Sequence, residues 1–193
     1  MRGSAAHSST PELGDNAVYR AAPLIGAIER YGAALAAADT DPDLKHATAC
    51  LVEIRGGTAV NVVPGECQIL VDRRLMPGEN VEEAEAAFIT ALEAALPREH
   101  WRLERIVSHC VPLKRCPDNE FLDGLRRALA AAGLPDRPGA MHCGTDASNY
   151  ASAGFMAIAW GPGELALAHT RGERVEMAEV ARAAEIMAAF LGV

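Results

Sequence analysis

The chain has 193 residues, of which 50% are hydrophobic and 23% are charged, and its formal net charge at pH 7 is -8. This composition is that of a globular protein with room for one large domain or two small ones, and it excludes a collagen-like fibre or a disordered chain. An acidic balance argues against a nucleic-acid partner, which usually needs a basic face. No apolar run reaches the roughly 20 residues of a membrane span, so we expect no membrane partner.

The cysteines are odd in number, widely spaced and without a C-x-x-C pair: Cys50, Cys67, Cys110, Cys116 and Cys143. This pattern predicts neither a disulfide framework nor a structural zinc site. The first residues lead into no apolar segment, so no secretory signal is expected. We therefore predict a reducing, cytoplasmic location.

Residues 1–112 predict the element order β-α-β-β-α-β. Strands are expected over 2–8, 47–55, 66–76 and 101–111, and helices over 15–38 and after the N-cap Asn80. Thr48, Cys50, Val52 and Ile54 are expected to share one face; Cys67, Ile69 and Val71 are expected to lie opposite Gln68, Asp72 and Arg74. This order is the ferredoxin-like α+β arrangement, a four-stranded antiparallel sheet with two helices on one face.

Residues 113–193 predict α/β architecture instead. Helices are expected over 119–133, 145–153 and 175–192, and the apolar run 155–160 predicts a strand buried on both faces. One such strand is too few for a parallel sheet covered by helices on both faces. We therefore predict that this region is part of a larger α/β domain whose N-terminal part is absent from the chain.

Two places in the second half could carry chemistry. His169 follows the predicted buried strand and a Gly-Pro-Gly bend, where ligands collect in open α/β sheets, and a histidine there suits metal binding or acid–base work. Gly144, Thr145 and Asp146 precede a short helix, whose first N–H groups suit an anionic or carbonyl group. The alternative is that Thr145 or Asp146 is only an N-cap.

Two places in the first half are also candidates. Arg74 shares a strand face with Asp72, so its guanidinium could hold a carboxylate bidentately or could simply form a surface ion pair with Asp72. His7 begins a His-Ser-Ser run that, taken alone, predicts only a polar turn.

Five segments in order resemble one known family, that of acetylornithine deacetylase, succinyl-diaminopimelate desuccinylase and aminoacylase, which are co-catalytic zinc amidohydrolases and peptidases. The segments that carry the resemblance are Ala6–Ala17, Gly56–Pro64, Asp72–Glu79, Gly144–Ala147, and Gly161–Gly163 with Ala168–Thr170. The resemblance implies that 1–112 is a lid, or dimerisation, domain inserted into an α/β catalytic domain, of which 113–193 is the C-terminal segment.

For the lid, the resemblance implies three site residues. His7 is similar to a histidine that reaches the active site of a neighbouring subunit and stabilises the tetrahedral oxyanion. Asn61 is similar to a residue that contacts substrate, and Arg74 to the arginine that holds the substrate carboxylate. The resemblance also implies a homodimer formed through the lid.

For the C-terminal segment, the resemblance implies that Gly144 and Thr145 contact substrate and that His169 binds metal. The family site holds two zinc ions, with cobalt as a possible replacement, which polarise the amide carbonyl and activate water. The other metal ligands and the catalytic glutamate precede the lid in the family, and this sequence has no match for them. Because one histidine cannot build such a site, we expect the chain alone to be inactive.

The sequence thus predicts a portion of a hydrolase that cleaves the amide bond of small N-acyl amino acids, the missing part being lost before Met1 or supplied by another polypeptide. Dipeptidase or carboxypeptidase activity is an alternative within the family. A non-catalytic dimerisation module, or a small-molecule-binding module of ferredoxin-like fold, is the alternative outside it.

Overall fold

The computed structural model describes residues 1–38, 40–104 and 111–193, which form two compact units, Met1–Pro112 and Leu113–Val193. The helices and strands, in chain order, are α1 (Ala17–Ala36), β1 (Thr48–Gly56), β2 (Cys67–Arg74), α2 (Val81–Glu93), α3 (Glu120–Ala131), α4 (Ala147–Ser152) and α5 (Met177–Leu191). The five predicted helices and the two central strands of the first unit are confirmed, with ends that shift by one to a few residues.

The first unit packs its helices on one side of an antiparallel ladder. β1 and β2 pair with Thr48 opposite Arg74 and Gly56 opposite Cys67. The buried core joins α1, α2 and the segment after it through Leu24, Ala27, Ile28, Leu92 and Trp101, against which Leu51, Ile69 and Val71 of the strands pack. The opposite face of the sheet stays open, and Leu70 on it is 43% exposed.

The N-terminal segment pairs with its neighbours without forming a regular strand. Isolated bridges join Arg2 with Glu66, Ser4 with Asp15, and His7 with Val62. Gly3 passes so close to the Asp15 carbonyl that a Cβ at position 3 would lie 2.0 Å from that oxygen. The expected strand over 2–8 is therefore present only as separate backbone pairs.

The expected fourth strand, 101–111, falls mostly on residues 105–110, which lie outside the described residues. Within the described part of the first unit the sheet has two strands, β1 and β2. The four-stranded lid therefore stays a prediction.

A β-bulge in β1 corrects the expected face of that strand. Leu51 pairs with Val71, but the next pair joins Glu53 with Leu70, so the register shifts between them. The extra residue turns the following side chains to the other face. Thr48 and Cys50 lie opposite Arg74 and Asp72, whereas Ile54 lies opposite Ile69 on the helix side, so the four residues expected on one face do not share it.

The second unit is built around two packed helices. Asn119 caps α3 by accepting the Leu122 N–H at 3.0 Å. Leu125 and Leu129 of α3 bury against Ile186 of α5, with Ile158, Trp160 and Phe190 partly buried beside them. No helix in the described ranges is long and apolar enough to cross a membrane.

The strand predicted over 155–160 is wrong for the described residues. This stretch has no strand pairing, and Phe155 and Met156 are 65% and 45% exposed. A strand needs a neighbour for its backbone N–H and C=O groups, and the described residues of the second unit provide no adjacent strand. Apolar composition alone therefore overestimated the regularity and the burial of this segment.

A polar network secures the end of β2. The Arg73 side chain is only 15% exposed, and it donates to Glu79 at 2.6 Å and to the Tyr31 hydroxyl at 3.4 Å. Glu79 also accepts the Met76 N–H at 2.6 Å, which closes the turn after the strand. Burial alone would lower the pKa of Arg73, but its bonds to Glu79 and Tyr31 raise the pKa overall and keep the guanidinium charged.

Glu79→Gln should lower the free energy of unfolding of the first unit by about 1–3 kcal/mol, because the half-buried Arg73 loses its carboxylate partner. Glu82→Gln is the matched control, since Glu82 is exposed in the first turn of α2 and should cost at most about 1 kcal/mol. Urea unfolding followed by Trp101 fluorescence in a Trp160→Phe background measures both. Equal losses would show that the network does not stabilise the unit.

Candidate functional site

The structure brings His7 and Asn61 together at one edge of the first unit. The Ser8 N–H donates to the Asn61 carbonyl at 2.9 Å, one residue after His7 bridges Val62. The Val63 N–H donates to the Ala6 carbonyl at 2.8 Å, and Val63 is buried. The side chains of His7 and Asn61 are both exposed, so a hydrogen-bonded stretch of backbone presents two polar side chains to a ligand that approaches this edge.

The His7 ring is held by the residue two positions later. Its Nδ1 lies 2.7 Å from the Ser9 hydroxyl and accepts the Ser9 backbone N–H at 3.2 Å. The Thr10 N–H donates to the His7 carbonyl at 3.0 Å and closes the turn. Sequence reasoning treated this run as a polar turn and missed Ser9; the signal was the hydroxyl at the second position after the histidine.

Arg74 lies on the open face of the sheet and keeps an exposed guanidinium. Its Nε and Nη2 each lie 2.8 Å from an Asp72 carboxylate oxygen, and its side chain is 63% exposed. Of the two alternatives from the sequence, the ion pair with Asp72 is present and uses one edge of the guanidinium, while binding of a ligand carboxylate stays a prediction. Such an exposed pair stabilises the fold little. Its effect is to orient Arg74 beside a sheet face that could receive a ligand.

In the second unit, Thr145 caps the short helix α4 and Asp146 does not. The Ala147 N–H donates to the Thr145 hydroxyl at 3.3 Å. The Ser148 hydroxyl donates to the Thr145 carbonyl at 2.8 Å. Asp146 makes no side-chain cap bond. The N-cap alternative therefore holds for Thr145, whose hydroxyl is already used in part, while Gly144 before it is exposed.

An open apolar cleft of about 560 Å³ lies beside Thr145. Its lining residues are Phe121, Thr145, Ala147, Tyr150, Phe155, Met156, Ala157 and Ile158. The cleft combines aromatic and aliphatic walls with the hydroxyls of Thr145 and Tyr150.

His169 has a backbone conformation that residues other than glycine rarely adopt. Its φ is +61°, its N–H donates to the Glu173 carboxylate at 2.8 Å, and its side chain is exposed. A left-handed backbone costs an ordinary residue about 1–2 kcal/mol, and Lys45 in the first unit adopts the same conformation with a φ of +68°.

The described residues do not by themselves form a metal site. No three His, Cys, Asp or Glu side chains in the described ranges come together in a group that could hold an ion. His169 offers one imidazole donor, whereas a zinc site needs three or four protein ligands. The donor set of the described chain is therefore too small for the metal that the resemblance implies.

The His169→Gly variant should have a free energy of unfolding about 1 kcal/mol higher than that of His169→Ala. The reason is that only glycine adopts a positive φ without steric cost. Urea unfolding of His169→Gly and His169→Ala, followed by Trp160 fluorescence in a Trp101→Phe background, measures the difference. If the two variants are equally stable, the backbone at this position is not strained.

Comparison with protein families assigns the chain to a known group. Residues 1–100 match the model of the peptidase dimerisation domain of M20 peptidases. The chain therefore belongs to the M20 peptidase family, as the sequence resemblance predicted.

Curated relatives are named as a deacetylase and a desuccinylase. The chain is 28% identical over 193 residues to acetylornithine deacetylase of Myxococcus xanthus, covering 97% of this chain and 49% of that protein. It is 26% identical over 191 residues to succinyl-diaminopimelate desuccinylase of Corynebacterium glutamicum, covering 98% and 49%. The chain thus spans about half the length of the curated relatives it matches.

Solved structures share the fold. Aminopeptidase PepT of Bacillus cereus superposes with a TM-score of 0.64 at 24% identity, covering 98% of this chain and 48% of that one. A tripeptidase of Staphylococcus aureus superposes with a TM-score of 0.69 at 20% identity, covering 98% and 48%. At these identities the likeness establishes the fold alone.

Proposed function

We propose that the chain supplies the lid and the C-terminal catalytic segment of a metal-dependent hydrolase that cleaves the amide bond of N-acyl amino acids. The observation that carries the proposal is the match of almost the whole chain to amide hydrolases, combined with an exposed, backbone-fixed His7 and an exposed, oriented Arg74. The remaining metal ligands and the catalytic carboxylate come from residues that this chain does not contain.

In the lid, each proposed residue has a chemical task that its geometry supports. His7 donates a hydrogen bond to the oxyanion that develops on the amide carbonyl, where a fixed donor lowers the barrier. Asn61, beside it, contacts the bound substrate. Arg74 takes the substrate carboxylate on the guanidinium edge that Asp72 leaves open, in a charge-assisted pair.

In the C-terminal segment, Gly144 and Thr145 contact the substrate through backbone and hydroxyl groups next to the apolar cleft. His169 contributes one ligand to a zinc site completed by residues outside this chain, with cobalt as a possible replacement. When bound, such metal ions polarise the carbonyl and activate water. The exposed side chain of His169 supports this assignment, because its imidazole is accessible to a metal ion.

A chimera tests this proposal. This chain replaces the half of the Myxococcus xanthus acetylornithine deacetylase that it matches, and hydrolysis of a panel of N-acyl amino acids and dipeptides is measured. We expect turnover of N-acyl amino acids by the chimera and none by the chain alone. His7→Gln should lower kcat by about 10²–10³, the cost of one oxyanion donor. Arg74→Ala should raise KM by about 10–100-fold.

Arg55→Ala is the matched control for Arg74→Ala. Arg55 is an exposed strand arginine paired with Glu53 two residues away, as Arg74 is paired with Asp72, but it is not among the proposed substrate-binding residues. Its replacement should leave KM unchanged. A folded, zinc-loaded chimera that cleaves nothing in the panel would contradict the proposal. A chimera that cleaves only dipeptides would also contradict it and would support the dipeptidase alternative.

We also propose that the first unit mediates a homodimer through the outer edge of β1. Its match to a peptidase dimerisation domain supports dimerisation. In the described residues β1 pairs with β2 on one side, and an exposed strand edge is a ready template for pairing with a second chain. In such a dimer, the resemblance implies that His7 of one subunit reaches the active site of the other.

Adjacent proline variants test the edge. Successive N–H groups of a strand point to opposite sides of the strand. Of the two variants Ala49→Pro and Cys50→Pro, one therefore loses a hydrogen bond to β2, and the other, which we call the outer-edge variant, loses only an N–H on the outer edge of β1. We expect the outer-edge variant to stay folded and become monomeric in sedimentation velocity at micromolar concentration. A monomeric unmodified chain, or a folded outer-edge variant that still dimerises, would rule out this interface.

A further inference from the structure

The contacts around His7 define which of its ring nitrogens can donate. A neutral imidazole carries one proton, so one nitrogen donates and the other accepts. The Ser9 backbone N–H can only donate, and it points at Nδ1 over 3.2 Å. A proton on Nδ1 would face that N–H hydrogen directly, whereas the Nδ1 lone pair accepts it.

The Ser9 hydroxyl also favours an unprotonated Nδ1. It lies 2.7 Å from Nδ1, and since a hydroxyl can either donate or accept, it alone would fit both tautomers. With the backbone N–H already pointing at Nδ1, the hydroxyl hydrogen turns to the same lone pair. Both donors of Ser9 therefore favour an unprotonated Nδ1 and a proton on Nε2.

The backbone around the ring keeps this geometry in place. His7 bridges Val62 on one side, and its carbonyl accepts the Thr10 N–H at 3.0 Å on the other. The contact to Ser9 spans two residues within this closed turn, so it forms without any rearrangement of the fold. Nε2, on the far side of an exposed ring, is the nitrogen left to meet a ligand.

We propose that Ser9 is a positioning residue that holds the neutral His7 ring in the Nε2–H tautomer and so makes Nε2 a hydrogen-bond donor. The second nitrogen of a histidine commonly sets the role of the first in this way. The use of that donor on an oxyanion rests on the proposed function, but the tautomer itself does not.

Nitrogen NMR of the ring tests the proposal on the chain as it is. The protein is labelled with ¹⁵N-histidine and studied at about pH 8.5, where an ordinary imidazole is neutral, and His7→Gln identifies the His7 signals among the six histidines. We expect Nδ1 in the shift range of an unprotonated ring nitrogen and Nε2 in that of a protonated one. A protonated Nδ1, or two nearly equal shifts, in the unmodified chain would overturn the proposal without any variant.

Variants then assign the effect to Ser9. Ser9→Ala removes the hydroxyl and should bring the two ring shifts closer together, while Ser9→Thr keeps both donors and should restore the separation. Ser8→Ala is the matched control, because it removes a hydroxyl one residue earlier that is not bonded to the ring, and should change nothing. Unchanged ring shifts in Ser9→Ala would overturn the part played by the hydroxyl, and a change in Ser8→Ala would overturn the assignment to Ser9.

The two proposals can fail separately. In the active chimera, Ser9→Ala should lower kcat with little change in KM, and Ser9→Thr should recover it. If the ring is in the Nε2–H form but the chimera is inactive, the proposed function fails and the tautomer stands. If the chimera is active while the ring is in the Nδ1–H form, the proposed function stands and the positioning role of Ser9 is wrong.

Discussion

The candidate site of the first unit depends on one interaction, the backbone pairing of the N-terminal segment with the residues that lead into β2. The N–H groups of Cys67, Gly3 and Val63 donate to the carbonyls of Met1, Gly65 and Ala6, respectively, over 2.8–3.0 Å. These bonds carry the chain to His7 and place it beside Asn61. They require glycine at position 3, where the Asp15 carbonyl leaves no room for a Cβ. The position of the proposed donor is thus a property of the backbone.

Strand alternation gives two neighbouring arginines opposite roles. Arg73 points toward the helices, is 15% exposed and is held by Glu79; Arg74 points to the open face and is 63% exposed. The same guanidinium is a structural group in one position and a candidate ligand-binding group in the next. Because side chains alternate along a strand, a one-residue slip of register would exchange these roles.

The sequence predicted the helices well because their signals are local: Asn80 and Asn119 cap α2 and α3 as their side-chain types suggest. It failed where the outcome depends on partners elsewhere. The bulge in β1 has no composition signal, so Ile54 was expected beside Cys50. The run 155–160 has the composition of a buried strand but lacks a neighbouring strand in the described unit. The proposed roles of His7, Asn61 and Arg74 came from the resemblance, whereas their exposure and the contact of Ser9 with the ring required coordinates.

The candidate residues and the residues that hold the fold together are different sets. His7, Asn61, Arg74, Gly144 and His169 are exposed and Thr145 is half-buried, so none of them is among the buried apolar core residues. Burial of apolar surface is the main source of folding free energy, and exposed polar groups contribute little to it. The left-handed backbone at His169 and the two Ser9 contacts to the His7 ring nitrogen therefore lie outside the buried core. The side chains of both histidines are exposed and accessible to a ligand, as their proposed roles require.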